Sequence, residues 1–391
     1  MIRHVRILVF LTLAAGLAGC GVTPVRPPVA TPPPSAAFEA VPWNSIAGWS
    51  EDRFADAWPA LLTSCGSGRM GAAWTDFCRQ AKTIDANDEF AQRRLVEEGL
   101  RPYRVVSEIA GPKPVRSDMG LITGYYEPVL KGSRRKSGAY QTPLYAVPDD
   151  LLNIDLGELY PALKGERIRG RLQGKRVIPY PDRAQLADGK LLSSKTIVWI
   201  DSAIDAFFVQ IQGSGRVQLD DGTTVRLAYA DVNGHPYRAI GRYLVEHGDL
   251  TVETATAPGL RDWLNEHPER QNEVFNSNPS VVFFREEKIV DPASGPRGAL
   301  GVPLTAERSI AIDPRQLPLG APVFLATTHP QTGVPLRRLM LAQDTGGAIR
   351  GAVRADVFWG LGAVAGELAG RMRQQGALWL LWPVGQLPGK P

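Results

Sequence analysis

The stretch from Arg338 to Gly360 reads RLMLAQDTGGAIRGAVRADVFWG. An apolar run, Leu339-Met340-Leu341-Ala342, delivers Asp344 into the turn Thr345-Gly346-Gly347, and a second acid, Asp356, stands immediately before Val357-Phe358-Trp359-Gly360. A short apolar strand ending on Gly-Gly lets the backbone turn sharply and lie close to a ligand, because glycine has no Cβ and accepts positive φ. An acid at each end of such a turn suits proton transfer. Each aspartate also has an ordinary structural use. Asp before Thr-Gly-Gly makes turns through its own side chain, and Asp before an apolar run caps helices. The rest of the chain decides between these uses.

Upstream stand Ile310-Ala311-Ile312-Asp313-Pro314 and Leu317-Pro318-Leu319-Gly320. Together with Asp344-Thr345-Gly346-Gly347 and Arg354-Ala355-Asp356 they resemble the three-aspartate domain shared by several cell-wall-acting families. Further motifs narrow the resemblance: Thr123-Gly124-Tyr125-Tyr126-Glu127-Pro128, Gln210-Ile211-Gln212-Gly213-Ser214-Gly215-Arg216, Tyr237-Arg238-Ala239-Ile240-Gly241 and Asn278-Pro279-Ser280-Val281-Val282-Phe283-Phe284. In this order, from about Trp43 to Trp382, they are similar to the membrane-bound lytic murein transglycosylase A (MltA) family.

The chain has 391 residues, 44% apolar and 21% charged, enough for two domains and a sizeable core. Its formal charge of +4 falls to +2 once the first nineteen residues, with Arg3 and Arg6, are set aside. No basic run exceeds Arg134-Arg135-Lys136, which argues against a nucleic-acid partner. The five histidines are scattered, so no zinc or other metal site and no cofactor is expected.

Arg3, His4 and Arg6 precede an apolar run from Ile7 to Ala18, which is the layout of a secretory signal and too short for a comfortable membrane span. Leu17-Ala18-Gly19-Cys20 resembles a lipobox, making Cys20 the expected lipidated first residue of the mature chain, with Gly21 after it matching outer-membrane sorting. Cys65 and Cys78 remain. An even pair in an exported chain favours a disulfide, with two buried thiols as the alternative.

The expected organisation is a signal peptide over residues 1–19, a lipidated Pro-rich tether over 20–42, helices and strands of the barrel domain over 43–129, an inserted β domain over 130–270 and the three-aspartate domain over 271–391. The fold class is mainly β with accessory helices. Apolar spacing places helices after Trp49, after Asp88 and over Tyr237 to Val245, and strands over Tyr103 to Val106, Gly120 to Gly124 and Ala377 to Trp382. Alternation of Phe207, Val209 and Ile211 with Phe208, Gln210 and Gln212 predicts another strand, and Asp220-Asp221-Gly222 a hairpin turn. A double-psi β-barrel of barwin-like kind, with a second barrel-like domain inserted and a glycan groove between them, is implied by the resemblance alone.

Cleaving a glycosidic bond needs a carboxyl group that stays protonated near neutral pH, although an unperturbed Asp titrates near 3.9. The apolar flank of Asp356 and the second carboxylate at Asp344 would both raise it. The resemblance implies that Asp356 is the catalytic acid and base. Asp344 would orient it or keep it protonated, and Asp313 is read as a structural acid bonding loop amides. Tyr125 and Tyr126 offer faces for sugar rings. With Thr123, Glu127, Gln210, Gln212, Gly213, Ser214, Thr345, Gly346 and Gly347 they form the expected substrate-binding set.

The activity so implied is cleavage of the bond from N-acetylmuramic acid to N-acetylglucosamine in peptidoglycan, with attack by the muramyl C6 hydroxyl to leave a 1,6-anhydro end. The expected partners are glycan strands, the membrane through lipid on Cys20, and other cell-wall enzymes, at the periplasmic face of the outer membrane. Two alternatives stay open: an inverting hydrolase with Asp344 or Glu127 as base, and a non-catalytic wall-binding lipoprotein.

Overall fold

The computed structural model describes residues 35–109, 114–163, 166 and 168–389. The expected signal segment and Cys20 lie outside the described residues. Six strands make the first barrel: β1 (Gly120–Glu127), β2 (Ser309–Ile312), β3 (Pro322–Thr328), β4 (Pro335–Thr345), β5 (Ala355–Leu361) and β6 (Arg373–Pro383). They follow one another as β6-β3-β4-β2-β5-β1, and β1 pairs again with β6, so the sheet closes. Closure satisfies both edges of every strand. Two pairings, β2 with β4 and β5 with β1, are parallel within an otherwise antiparallel ring, as the double-psi arrangement requires.

All four residues of β2 are buried, and Val323, Phe324, Leu325, Leu341 and Ala342 are fully enclosed. Such near-continuous apolar runs are what strands covered on both faces require. Helices Phe54–Gly66, Thr75–Ala81 and Glu89–Gly99 supply the outer cover through Phe54, Trp58, Phe77 and Val96. Asp88 caps the last of these by accepting from the Ala91 amide. Residues 35–40, expected to be tether, instead form strand Ser35–Ala40, antiparallel to Leu100–Ile109, which itself continues the sheet from β6. Alternating Phe38 and Ala36 pack on the core, so this segment is part of the barrel domain.

The second domain is a six-stranded sheet in the order Val282–Glu287, Thr224–Val232, Ser214–Leu219, Val129–Ser133, Thr196–Ile200, Thr142–Tyr145. A bridge between Ala146 and Phe284 joins its two ends around Leu130, Leu144, Val198, Val217 and Leu227. Its last strand lies beyond residue 270, the expected boundary. The predicted hairpin is present, with Gly222 at φ 85°. The predicted strand through Phe207–Gln212 is not. That segment is helix Ala203–Gln212, capped by Ser202 accepting from the Asp205 amide and ended by Gly213 at φ 78°. Ala206 and Val209 face the sheet while Ile204, Phe207 and Phe208 face the neighbouring helices, so both sides are apolar and the period-2 reading was degenerate with the helical one.

The chain passes from β1 to Val129–Ser133 through Pro128 alone. At this junction Glu127 has no exposure and accepts from Arg216 Nε at 3.0 Å and Arg226 Nε at 2.6 Å. The same two guanidinium groups donate to Ser294 O, and Arg216 also to Pro292 O, on the segment that returns to the barrel. Breaking a buried pair by removing one partner costs about 3–5 kcal/mol because a charge is left uncompensated. Glu127→Gln strands two, so denaturant titration is expected to show a loss of that size. A loss below about 0.5 kcal/mol would show that the triad does not hold the domains.

Candidate active site

Asp356 is the second residue of β5 and lies opposite Thr123 of β1 in the parallel register. Thr123 Oγ1 donates to Asp356 Oδ1 at 2.5 Å. Successive odd positions of β1 share a face, so Tyr125 points the same way, and its hydroxyl donates to Asp344 Oδ2 at 2.9 Å. One strand thus supplies a hydroxyl to each acid. Asp344, at the end of β4, also accepts the Ala299 amide at 2.9 Å.

Both carboxyl groups are half-buried. Burial is the main cause that pushes Asp356 up to about 6. The Thr123 hydrogen bond and the Arg354 charge oppose it, and the Asp344 charge adds to it. Burial raises Asp344 as well, against the Thr345 and Ala299 amides and the Tyr125 hydroxyl. Burial and the two nearby acids hold the Tyr125 phenol well above its ordinary value, so it remains a donor.

Asp344 is backed from the far side. The neighbouring Gln343 side chain is fully buried, donates to Ala60 O at 2.9 Å and Ser64 Oγ at 2.8 Å, and accepts from Ser309 Oγ at 2.6 Å. Gly298 is required here, since a Cβ would come within 2.5 Å of Gln343 O. Arg69 donates to Ala299 O from the loop closed by Cys65 and Cys78, which are disulfide-bonded at a Cα separation of 5.4 Å. The two-thiol alternative therefore does not hold.

Asp313 is 1% exposed and binds Arg315 and the Gly351 amide. Burial pushes it up, but Arg315 and the Gly351 and Arg315 amides outweigh burial and hold it below the usual carboxylate range. Neither Gly346 nor Gly347 takes positive φ. Gly351 does, at 117°, while Gly346 is needed for its close approach to Ile349. Thr345 is drawn into the sheet opposite Ile312.

Several expected substrate contacts are occupied internally. Glu127 is locked between two arginines and can serve neither as a sugar ligand nor as a base. Gln210 accepts from Arg183 and the Val282 amide and donates to Ala206 O, which leaves it holding the second domain together. Gly213 is a helix cap, and Ser214 is buried in the strand that follows. Gln212 remains at the domain junction, accepting the Tyr126 amide at 3.1 Å. The Thr123 hydroxyl is engaged on both sides, by Asp356 and by Arg354 Nη2 at 2.9 Å. Arg354 and the Ala299 amide were missed in the sequence reading. Arg354 was legible only as the basic residue just before the strand that carries Asp356, whereas nothing local marks Ala299. Among the described residues no three His, Cys, Asp or Glu side chains gather as a metal-binding group.

Fold and site together define a double-psi-barrel protein with an inserted second barrel and a paired-aspartate site at the edge where the two meet. The family model of the MltA specific insert domain matches residues 121–285, and that of the 3D domain matches 308–382. The structure of MltA from Neisseria gonorrhoeae is similar with a TM-score of 0.77 at 36% identity, covering 94% of this chain and 99% of that one. LtgG, a lytic transglycosylase of Burkholderia pseudomallei, is 42% identical with a TM-score of 0.58, covering 90% of this chain and 98% of that one. The membrane-bound lytic murein transglycosylase A of Escherichia coli K12 is 32% identical over 266 residues, which is 66% of this chain and 64% of that protein. The match thus spans just under two thirds of that curated relative. The chain belongs to the MltA family.

Because the Asp344 charge adds to the upward shift of Asp356, Asp344→Asn is expected to move the Asp356 titration below its midpoint of about 6. Carboxyl-carbon NMR of the labelled protein reads this directly. An unchanged midpoint would mean that the two acids are not coupled.

Proposed function

We propose that the chain is a lytic transglycosylase that cleaves peptidoglycan between N-acetylmuramic acid and N-acetylglucosamine and closes a 1,6-anhydro ring on the muramyl end. The observation that carries this reading is that Asp356, which burial pushes up to about 6, has one other carboxylate acting on it among the described residues, Asp344, and that carboxylate already accepts from Tyr125 and Ala299. An inverting hydrolase needs a second, free carboxylate roughly 6.5–9.5 Å away with a water between, and Glu127 is tied to Arg216 and Arg226. A mechanism in which one carboxyl acts twice fits this supply. Asp356 gives its proton to the glycosidic oxygen as the C1–O bond breaks. The C6 hydroxyl then attacks C1 and returns its proton to Asp356. No water is consumed, and orientation gives the internal hydroxyl a large effective concentration over solvent. Gln212, at the junction, keeps its amide nitrogen as a donor for an N-acetyl carbonyl while its oxygen accepts the Tyr126 amide, whereas the Tyr126 ring is packed on the core and against Gly366.

Digestion of peptidoglycan is expected to release muropeptides lighter by one water than their hydrolytic counterparts, without label from heavy-oxygen water. The rate should fall as pH rises through about 6, where Asp356 loses its proton. Asp356→Asn should lose turnover while the fold is kept. Reducing ends carrying solvent label would make the chain a hydrolase.

The same reading places the protein at the periplasmic face of the outer membrane, held by lipid on Cys20. It is supported by the lipobox pattern Leu17-Ala18-Gly19-Cys20 and by relatives described as membrane-bound. Among the described residues no helix is long and apolar enough to cross a membrane. Mass spectrometry of the membrane fraction is expected to show a lipidated Cys20 terminus, and an unmodified terminus elsewhere would overturn the anchor.

A further inference from the structure

We propose that Arg354 is a positioning residue that, through Thr123, fixes which oxygen of Asp356 carries the acid proton. The inference rests on the reading of Asp356 as the acid. A guanidinium group only donates. Arg354 Nη2 points at Thr123 Oγ1 at 2.9 Å, so it occupies a lone pair of that hydroxyl. The single hydroxyl proton then goes to Asp356 Oδ1, 2.5 Å away, the remaining partner the structure gives Thr123. Oδ1 is thereby an acceptor, and the acid proton is left on Oδ2, the oxygen free to face a substrate.

Arg354 is itself fixed. Its Nη1 donates to Ala355 O at 2.5 Å and Leu121 O at 3.3 Å, one carbonyl from each of the two strands that carry Asp356 and Thr123. The planar fork therefore measures the offset between β5 and β1 and reports it to the hydroxyl. No ion pair joins Arg354 to Asp356 within 4.0 Å among the described residues. A direct guanidinium contact would hold the carboxyl ionised and remove the acid. Interposing a neutral hydroxyl keeps the directional effect and weakens the electrostatic one, consistent with an acid that still titrates near 6. The other groups facing Asp356 are Asp344 from β4 and Tyr125 from β1. Arg373 of β6 pairs with Thr123 through backbone, and its charge is felt by Glu253.

The test is a double-mutant cycle on kcat with natural peptidoglycan, using Thr123→Val, Arg354→Met and the pair. Each single change is expected to lower kcat at least about tenfold with KM within about twofold, because the proton is no longer directed at the leaving oxygen. In the Thr123→Val background Arg354→Met should add less than about twofold, since its effect runs through the hydroxyl. Thr123→Ser, which restores the donor, should return kcat to within about threefold of the parent. Additive losses, or a loss carried by KM, would overturn the proposal, the latter making Arg354 a substrate contact. A second arm needs no turnover. In the Asp356 carboxyl titration, Thr123→Val and Arg354→Met each remove a group that favours the charged form, so both midpoints should rise above about 6 while Thr123→Ser stays at the parent's value. A midpoint unmoved by Thr123→Val in a protein with native circular dichroism overturns the relay. Absence of glycan cleavage by the parent, with the midpoints shifting as stated, would instead remove the transglycosylase reading and leave the relay standing.

Discussion

The buried Glu127 triad is the constraint on which the rest depends. A carboxylate without exposure, shared by Arg216 and Arg226, is tolerable only because both guanidinium groups also bond main-chain carbonyls on the returning segment. Glu127 is the last residue of β1, and Thr123 and Tyr125 stand on the same face four and two residues earlier. Fixing Glu127 therefore fixes the pitch and slide of the strand that hands a hydroxyl to each acid. The attachment of the second domain and the alignment of the site are one geometric problem with one solution.

Three aspartates of one motif meet three environments. Asp313 has a guanidinium and backbone amides, Asp344 two amides and a phenol, and Asp356 a lone hydroxyl. Stabilisation of the charged form weakens along that series while burial is felt by all three, and the carboxyl groups run from below the usual range to about 6. Burial pushes all three upward, and the donors the fold supplies decide how far each resists.

Much of the barrel was legible because its strands are short apolar runs ending on turn residues, as at Leu339 to Ala342 before Asp344. The helix Ala203–Gln212 was not, because a segment buried on both sides satisfies either period. Its caps would have decided it: Ser202 with Asp205 three residues on, and Gly213 after the last turn. The roles of Glu127 and Gln210 could not be read locally. Their partners lie 89 and 99 residues away in one case and 27 and 72 in the other, and only the assembled fold brings them together. The acids were found by motif, whereas their surroundings came from strand register.

Entry and exit of the inserted domain lie side by side, since Arg226 touches both Glu127 and Ser294 O. Topologically the whole second barrel is a loop between two strands of the first. Loop-closure entropy grows only with the logarithm of length, so an insert of this size, if unfolded, would burden the first barrel by only about 3 kcal/mol more than a four-residue turn. The first barrel can thus outlive the melting of the second, and heating would reveal two calorimetric transitions, with loss of the ion triad marking the earlier one.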